Sequence, residues 1–150
     1  MTTEETDNWQ SELIKKYPNT LKLFFRNGNG NPLDAKDPFW GCQYWGIECE
    51  NGWKGIISDA LGAIEDNILR LKKIGVEDDA LPYVTQIKEK CGGLRIYMSG
   101  YTEIADRAIE KGEQESFTVC EICGAPGTLR ENRYHYLKTL CDKCAGDEYV

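Results

Sequence analysis

Four of the seven cysteines form two identically spaced pairs near the C-terminal end of the sequence. The pairs are Cys120 with Cys123 and Cys141 with Cys144, and seventeen residues separate the inner two. Two thiolates three positions apart can both reach one tetrahedral ion, and this spacing of two pairs is typical of structural zinc. Gly124 suits the tight turn after the first pair. The sequence therefore predicts one structural Zn²⁺ per chain, held by these four cysteines.

This predicted site has no place for catalysis, because four cysteine ligands leave no open position for water. The only histidine, His135, lies in an aromatic stretch that resembles a strand, so we interpret it as a strand residue and not as a ligand. Cys42 and Cys49 stand among aromatic residues, where a free cysteine behaves as a small apolar residue. Cys91 falls in a predicted turn. A second metal site built from these three cysteines is the alternative.

The segment between the cysteine pairs predicts a small antiparallel hairpin. Residues 128–130 and 134–140 have strand composition, and Glu131-Asn132 is the predicted turn. The polar stretch 142–150 is long enough for one or two helical turns. This order of knuckle, hairpin, knuckle and helix start is that of a treble-clef finger, and a zinc ribbon is the alternative.

Other elements must position this site. Helical periodicity begins at a capping pattern formed by Asp7 and Gln10 and stops at Pro18. A second amphipathic helix follows Trp53 and ends at Gly75. Further predicted elements are two short strands in 39–50, a hairpin of 83–90 with 94–98, and a helix over 102–116.

These elements predict an α+β fold, in which a small domain of helices and antiparallel hairpins carries a C-terminal finger. We expect the domain to span 1–116, with 1–6 as a flexible tail, and the four-cysteine module to span 117–150 and to pack on it.

Composition limits the function. The formal net charge is −7, which argues against a dedicated nucleic-acid binder, because phosphate neutralisation supplies most of the affinity of such proteins. The sequence has no apolar run long enough to span a membrane, and from its acidic first residues we expect no signal peptide. An odd cysteine count without an export signal favours a reducing compartment, so we expect a cytoplasmic protein.

Two surfaces are candidates for binding a partner. One is a basic patch on the central hairpin, with an aromatic ring beside it: Lys88, Lys90, Arg95 and Tyr97. The other is the acidic outer face of the last long helix, formed by Glu103, Asp106, Glu110 and Glu113. Simple solvation of these charges is the alternative for both surfaces.

Three motifs resemble a family of small proteins encoded by bacteriophages and prophages. They are Glu-Cys-Glu-Asn-Gly-Trp at 48–53, Gln-Ile-Lys-Glu-Lys-Cys-Gly-Gly-Leu-Arg-Ile-Tyr at 86–97, and the two cysteine knuckles. The resemblance covers about residues 45–145. It departs from the family at Cys91, where an aromatic residue is usual. The resemblance implies a phage context and a host cell that is bacterial, but it implies no activity.

Three functions are compatible with this sequence. The first is a non-enzymatic protein that binds and modulates a host protein machine, such as a defence complex or a transcription complex. The second is a nucleic-acid-binding regulator, as many treble-clef fingers are. The third is a small hydrolase. The residues form no recognisable set of nucleophile and base, which favours a non-enzymatic role.

Overall fold

The computed structural model of the chain describes residues 3–24 and 46–150, with side chains from residue 9 onward. We call residues 3–24 and 46–116 the body and residues 117–150 the module. The helices are α1 (Thr3–Lys16), α2 (Lys54–Lys73), α3 (Glu103–Ser116) and α4 (Asp142–Ala145). The strands are β1 (Ile47–Glu48), β2 (Val84–Lys90), β3 (Gly93–Met98), β4 (Thr128–Glu131) and β5 (Leu137–Leu140).

The first helix packs on the rest of the body through one face. Trp9, Leu13 and Tyr17 are buried, as their three–four spacing predicts. The helix begins at Thr3, earlier than the predicted cap at Asp7, and it ends before Pro18. Residues 3–6, predicted as part of a flexible tail, are therefore the first residues of α1.

Helix α2 lies at the centre of the body. Its apolar stripe, which includes Ile57, Leu61, Ile64 and Ile68, is buried almost completely. Helix α3 packs against both α2 and β3. The Thr102 hydroxyl accepts a hydrogen bond from the N–H of Ala105 at 3.1 Å and so caps the start of α3.

The central sheet has the order β1-β2-β3. The predicted hairpin is confirmed, because β2 and β3 pair antiparallel around the Cys91-Gly92 turn. The strand β1 pairs parallel with β2, so it belongs to this sheet and forms no hairpin with a neighbour within the described residues. Residues 39–45 of the predicted strands, which include Cys42, lie outside the described residues.

The module contains one antiparallel hairpin followed by a helical turn, and the prediction of its strands needs a correction. Strand β5 begins at Leu137 and not at residue 134, and β4 continues through Glu131, which was predicted as turn. The connection is a loop at 132–136 that contains His135, so the interpretation of His135 as a strand residue is wrong. The whole arrangement is α+β, as predicted. In the ranges that the structure describes, no helix is long and apolar enough to cross a membrane.

Candidate metal centre

The four predicted cysteines lie together. Their sulfur atoms all fall within 4.8 Å of one another, and the Sγ atoms of Cys123 and Cys141 are 3.6 Å apart. A disulfide would place two sulfurs about 2.05 Å apart, and all four cysteines are free. A Zn–S bond of about 2.3 Å in a tetrahedron separates sulfurs by about 3.8 Å. The four sulfurs are therefore arranged to hold a metal ion, at a spacing that fits tetrahedral sulfur coordination.

Short backbone contacts set the position of each pair. In the first knuckle, the N–H of Cys120 donates to the carbonyl of Ala125 at 2.7 Å, and the N–H of Gly124 donates to the carbonyl of Cys120 at 2.9 Å. Gly124 has a φ of +81°, in the left-handed region that favours glycine. In the second knuckle, the N–H of Cys144 points to the Cys141 sulfur at 3.4 Å. Both turns therefore aim their thiols at one point.

The surroundings favour ionisation of Cys120 and Cys141 and oppose that of Cys144. Burial raises the pKa of Cys120, but backbone N–H groups, chiefly that of Cys123, outweigh it and lower this pKa to about 7. The backbone N–H of Cys144 lowers the pKa of Cys141. The Cys141 sulfur raises the pKa of Cys144 to about 12. Four thiolates at this distance need a compensating charge, and a divalent ion supplies it.

The first knuckle rests on the turn that precedes α2. The N–H of Gly52 donates to the carbonyl of Glu121 at 2.7 Å, and the indole N–H of the fully buried Trp53 donates to the carbonyl of Val119 at 2.8 Å. A Cβ atom at position 52 would overlap the carbonyl oxygens of Cys120 and Glu121. The chain can make this approach only with glycine.

A partly buried ion network joins the module to the central hairpin. Lys138 on β5 donates to Glu89 at 2.8 Å and to Glu121 at 3.2 Å. Burial raises the pKa of Glu121, although Lys138 opposes this rise. Burial would lower the pKa of Lys138, but the two carboxylates outweigh it and raise this pKa. The hydroxyl of Thr139 also donates to the carbonyl of Gly92 at 2.7 Å, so β5 is anchored to the β2–β3 turn.

The remaining described cysteines lie apart from the centre. Burial, together with the charges of Glu121 and Glu50, raises the pKa of Cys49, so its thiol is neutral and packs against the body core. Cys91 is exposed in the β2–β3 turn. Within 3–24 and 46–150, neither belongs to a group that could hold a metal.

The predicted basic patch does share one face of the sheet. Lys88 and Arg95 are direct cross-strand partners, and Lys90 and Tyr97 follow at two-residue intervals on the same side. The patch loses part of its charge, however, because Arg95 forms an ion pair of 3.0 Å with Glu113 of α3. The structure thus pairs a residue of the predicted basic patch with a residue of the predicted acidic face.

The acidic face of α3 is exposed at Glu103, Asp106 and Glu110, whereas Glu113 is half-buried. Glu103 pairs with Arg107 at 2.6 Å, one helical turn along. Basic neighbours on α3 and β3 therefore offset part of this acidic face, and what remains of its charge is modest.

Three carboxylates on α2 differ in their surroundings. Asp59 and Asp66 are exposed on α2. Glu65 is buried and accepts four hydrogen bonds, from the backbone and side chains of Asn19 and Thr20, at 2.7 to 3.0 Å. Glu65 therefore holds the turn that follows α1 against α2, and both of its carboxylate oxygens are already engaged.

Sequence reasoning identified the four cysteines and missed the residues that dock them. Gly52, Glu121 and Lys138 carry no metal-binding signature, and only their contacts across the chain show their role. The glycine at 52, one residue before a large aromatic residue, was the one available signal of close backbone approach.

No family model, curated protein or solved structure matches this chain.

Proposed function

We propose that the chain is a non-enzymatic zinc-binding protein of phage type that binds a protein machine of its bacterial host and modulates or inhibits it. In this proposal the module is a treble-clef-type finger, Cys120, Cys123, Cys141 and Cys144 hold one Zn²⁺, and the protein acts in the host cytoplasm. The metal supplies folding energy when bound and performs no chemistry.

One observation carries this proposal. The cage of four sulfurs is closed, and its first knuckle is fixed to the body by Gly52, Trp53 and the Lys138 network. All four sulfurs converge on the same point, which leaves an ion in the cage no position for a substrate. Such a centre fixes the shape of a surface, and a fixed surface is what a binding protein needs.

Charge supports a protein partner. The chain has a net charge of −7, and four thiolates with one Zn²⁺ add about two further negative charges relative to four neutral thiols. An acidic protein of this size is suited to the basic grooves of proteins that normally hold nucleic acid.

A binding experiment with matched cysteine variants tests the proposal. Three chains are immobilised and exposed to a nuclease-treated bacterial lysate: the wild type, Cys123→Ser and Cys91→Ser. Any protein retained is purified and titrated against all three. Cys123 and Cys91 are both exposed, but only Cys123 belongs to the cage. We expect binding by the wild type and Cys91→Ser and loss of binding by Cys123→Ser. Binding of nucleic acid with no protein partner would contradict the proposal.

The alternative function is nucleic-acid binding through the sheet face that carries Lys88, Lys90, Arg95 and Tyr97. Their alignment on one face favours it, and the Arg95–Glu113 ion pair weakens it. Binding to an oligonucleotide that falls steeply with salt, and that Lys88→Glu with Lys90→Glu abolishes, would establish this alternative.

A further inference from the structure

The loop between β4 and β5 presents an aromatic surface that the metal centre does not use. We call residues 132–136 the aromatic tip. Tyr134 and Tyr136 are 61% and 67% exposed, and the side chain of His135 between them is 85% exposed. Aromatic rings contribute most when they are buried, so a run of exposed rings at a loop end is a feature that a partner would use.

The aromatic tip is held in one conformation. Asn132 is buried, and its side-chain Oδ1 accepts hydrogen bonds from the N–H groups of both Tyr134 and Tyr136 at 2.9 Å. The N–H of Asn132 donates to the carbonyl of Tyr136, and the N–H of His135 donates to the carbonyl of Asn132, each at 3.0 Å. A loop fixed in this way loses little conformational entropy when its rings are covered.

The backbone of the aromatic tip is strained at His135. His135 has a φ of +67°, in the left-handed region that non-glycine residues seldom adopt. Its ring lies 2.6 Å from a carboxylate oxygen of Glu131. Strained backbone of this kind is concentrated at binding and switching sites.

The charges around the aromatic tip indicate the chemistry of its partner. The guanidinium of Arg133 lies 4.7 Å from the centre of the Tyr134 ring and donates a hydrogen bond to the Tyr134 hydroxyl. The base of the tip is acidic. Glu131 pairs through its backbone with Val150 at 3.0 and 3.1 Å, and the exposed Glu148 and Asp147 precede Val150 by two and three residues. The tip is thus a set of aromatic rings on an acidic base.

We propose that the aromatic tip is the surface through which this chain docks on its partner, a protein with an apolar pocket whose rim is basic. This inference rests on the proposed function and adds to it the docking residues and the complementary chemistry. Tyrosine and arginine dominate the energetics of protein interfaces. The carboxylates at the base repel phosphates and oppose the attraction of Arg133 for them, which disfavours nucleic acid.

The experiment uses the zinc-loaded full chain and two double variants. Tyr134→Ala with Tyr136→Ala removes the rings of the tip. Ile74→Ala with Tyr101→Ala is the matched control, because these side chains are 77% and 55% exposed on the body. Proteins retained by the wild type from a nuclease-treated bacterial lysate are purified, and each is titrated against the three chains. A fluorescein-labelled oligodeoxythymidine is titrated in parallel.

We expect the tip variant to weaken binding of the purified partner at least about tenfold, and the control to stay within about twofold of the wild type. Binding of the wild type should weaken as salt is added, because opposite charges meet at the rim. Asn132→Ala should lose binding with both tyrosines present, and Asn132→Asp, which keeps the acceptor, should restore it.

The outcomes separate the two proposals. Equal binding of a purified partner by the wild type and the tip variant would overturn the docking surface and leave the proposed function standing. Binding of the oligodeoxythymidine through the tip, with no protein partner, would overturn both. Retention of no protein by the wild type would also overturn both, because the inference depends on a protein partner.

Discussion

The body and the module are held together in different ways. The described body buries 21 side chains in one cluster, centred on α2. The module buries only Cys120, Leu140 and Ala145 in a cluster of its own. Apolar burial of this extent stabilises the body, whereas a core of three side chains cannot offset the conformational entropy of 34 residues at 117–150. The module therefore depends on its contacts with the body and, in the function we propose, on the metal ion that its four cysteines hold.

Removing the metal should have the largest effect on the module and little effect on the body. Chelation, or Cys120→Ser, should unfold the module while α2 and the central hairpin stay folded, because structural zinc commonly supplies about 10–16 kcal/mol of apparent binding free energy. Hydrogen exchange followed by mass spectrometry measures this directly. Amide protection should disappear in 117–150 and persist in 54–73. Equal loss of protection in both regions would show that the body also depends on the metal.

The body should instead respond to loss of a buried polar anchor. Glu65→Ala leaves four donors of Asn19 and Thr20 without their acceptor, and it should destabilise the body by about 3 kcal/mol. Asp66→Ala is the matched control, because Asp66 is its exposed neighbour on α2; it should change stability by less than about 0.5 kcal/mol. Urea denaturation of the zinc-loaded chain gives both values. Similar losses for the two variants would refute a special role for Glu65.

A steric clash between the turn before α2 and the first knuckle should weaken the contact between the body and the module without changing any of the four cysteines. Gly52→Ala places a Cβ atom against the carbonyl oxygens of Cys120 and Glu121, and we expect it to cost about 2 kcal/mol and to loosen the first knuckle. Gly55→Ala is the control, since a Cβ there meets nothing within 4 Å. That variant should be neutral or stabilising by up to about 1 kcal/mol. Thermal denaturation with zinc release as a second signal distinguishes them, and an unchanged Gly52→Ala would contradict the docked arrangement.

Removing the positive charge of Lys138, which bridges the module and the central hairpin, should have the smallest of these effects. Lys138→Met leaves Glu89 and Glu121 without their shared partner. Breaking a fully buried ion pair costs about 3–5 kcal/mol, and the lysine side chain is 33% exposed, so we expect about 2 kcal/mol or less. Adding Glu121→Gln should recover part of this loss, because one uncompensated carboxylate is removed. A double-mutant cycle by chemical denaturation measures the coupling, and strict additivity would show that the network is not a unit.

The sequence was informative where a local pattern decides the structure. The two cysteine pairs, the turn between β2 and β3 and the apolar stripe of α2 each depend on residues close together in the chain. The structure confirms that the cysteines cluster and that the hairpin and helix form. The α+β class follows from the order of such elements.

Sequence reasoning failed where distant contacts decide the structure. The parallel pairing of β1 with β2 joins residues forty apart, Ile47 to Ile87, and no local pattern encodes it. The stretch 134–136 has strand composition, but the buried Asn132 side chain captures the N–H groups of Tyr134 and Tyr136 and makes it a loop. The Gly52 and Lys138 contacts likewise exist only after the module has docked.

The central claim is that four cysteine sulfurs hold one tetrahedral metal ion that builds shape. Metal analysis of the purified, folded chain, followed by cobalt substitution and visible absorption spectroscopy, tests it most directly. We predict one equivalent of zinc per chain, and on substitution the absorption bands of tetrahedral Co²⁺ with four thiolate ligands, lost in Cys144→Ser and retained in Cys91→Ser. Folded protein with less than half an equivalent of zinc, or with these four cysteines paired as disulfides, would contradict the claim.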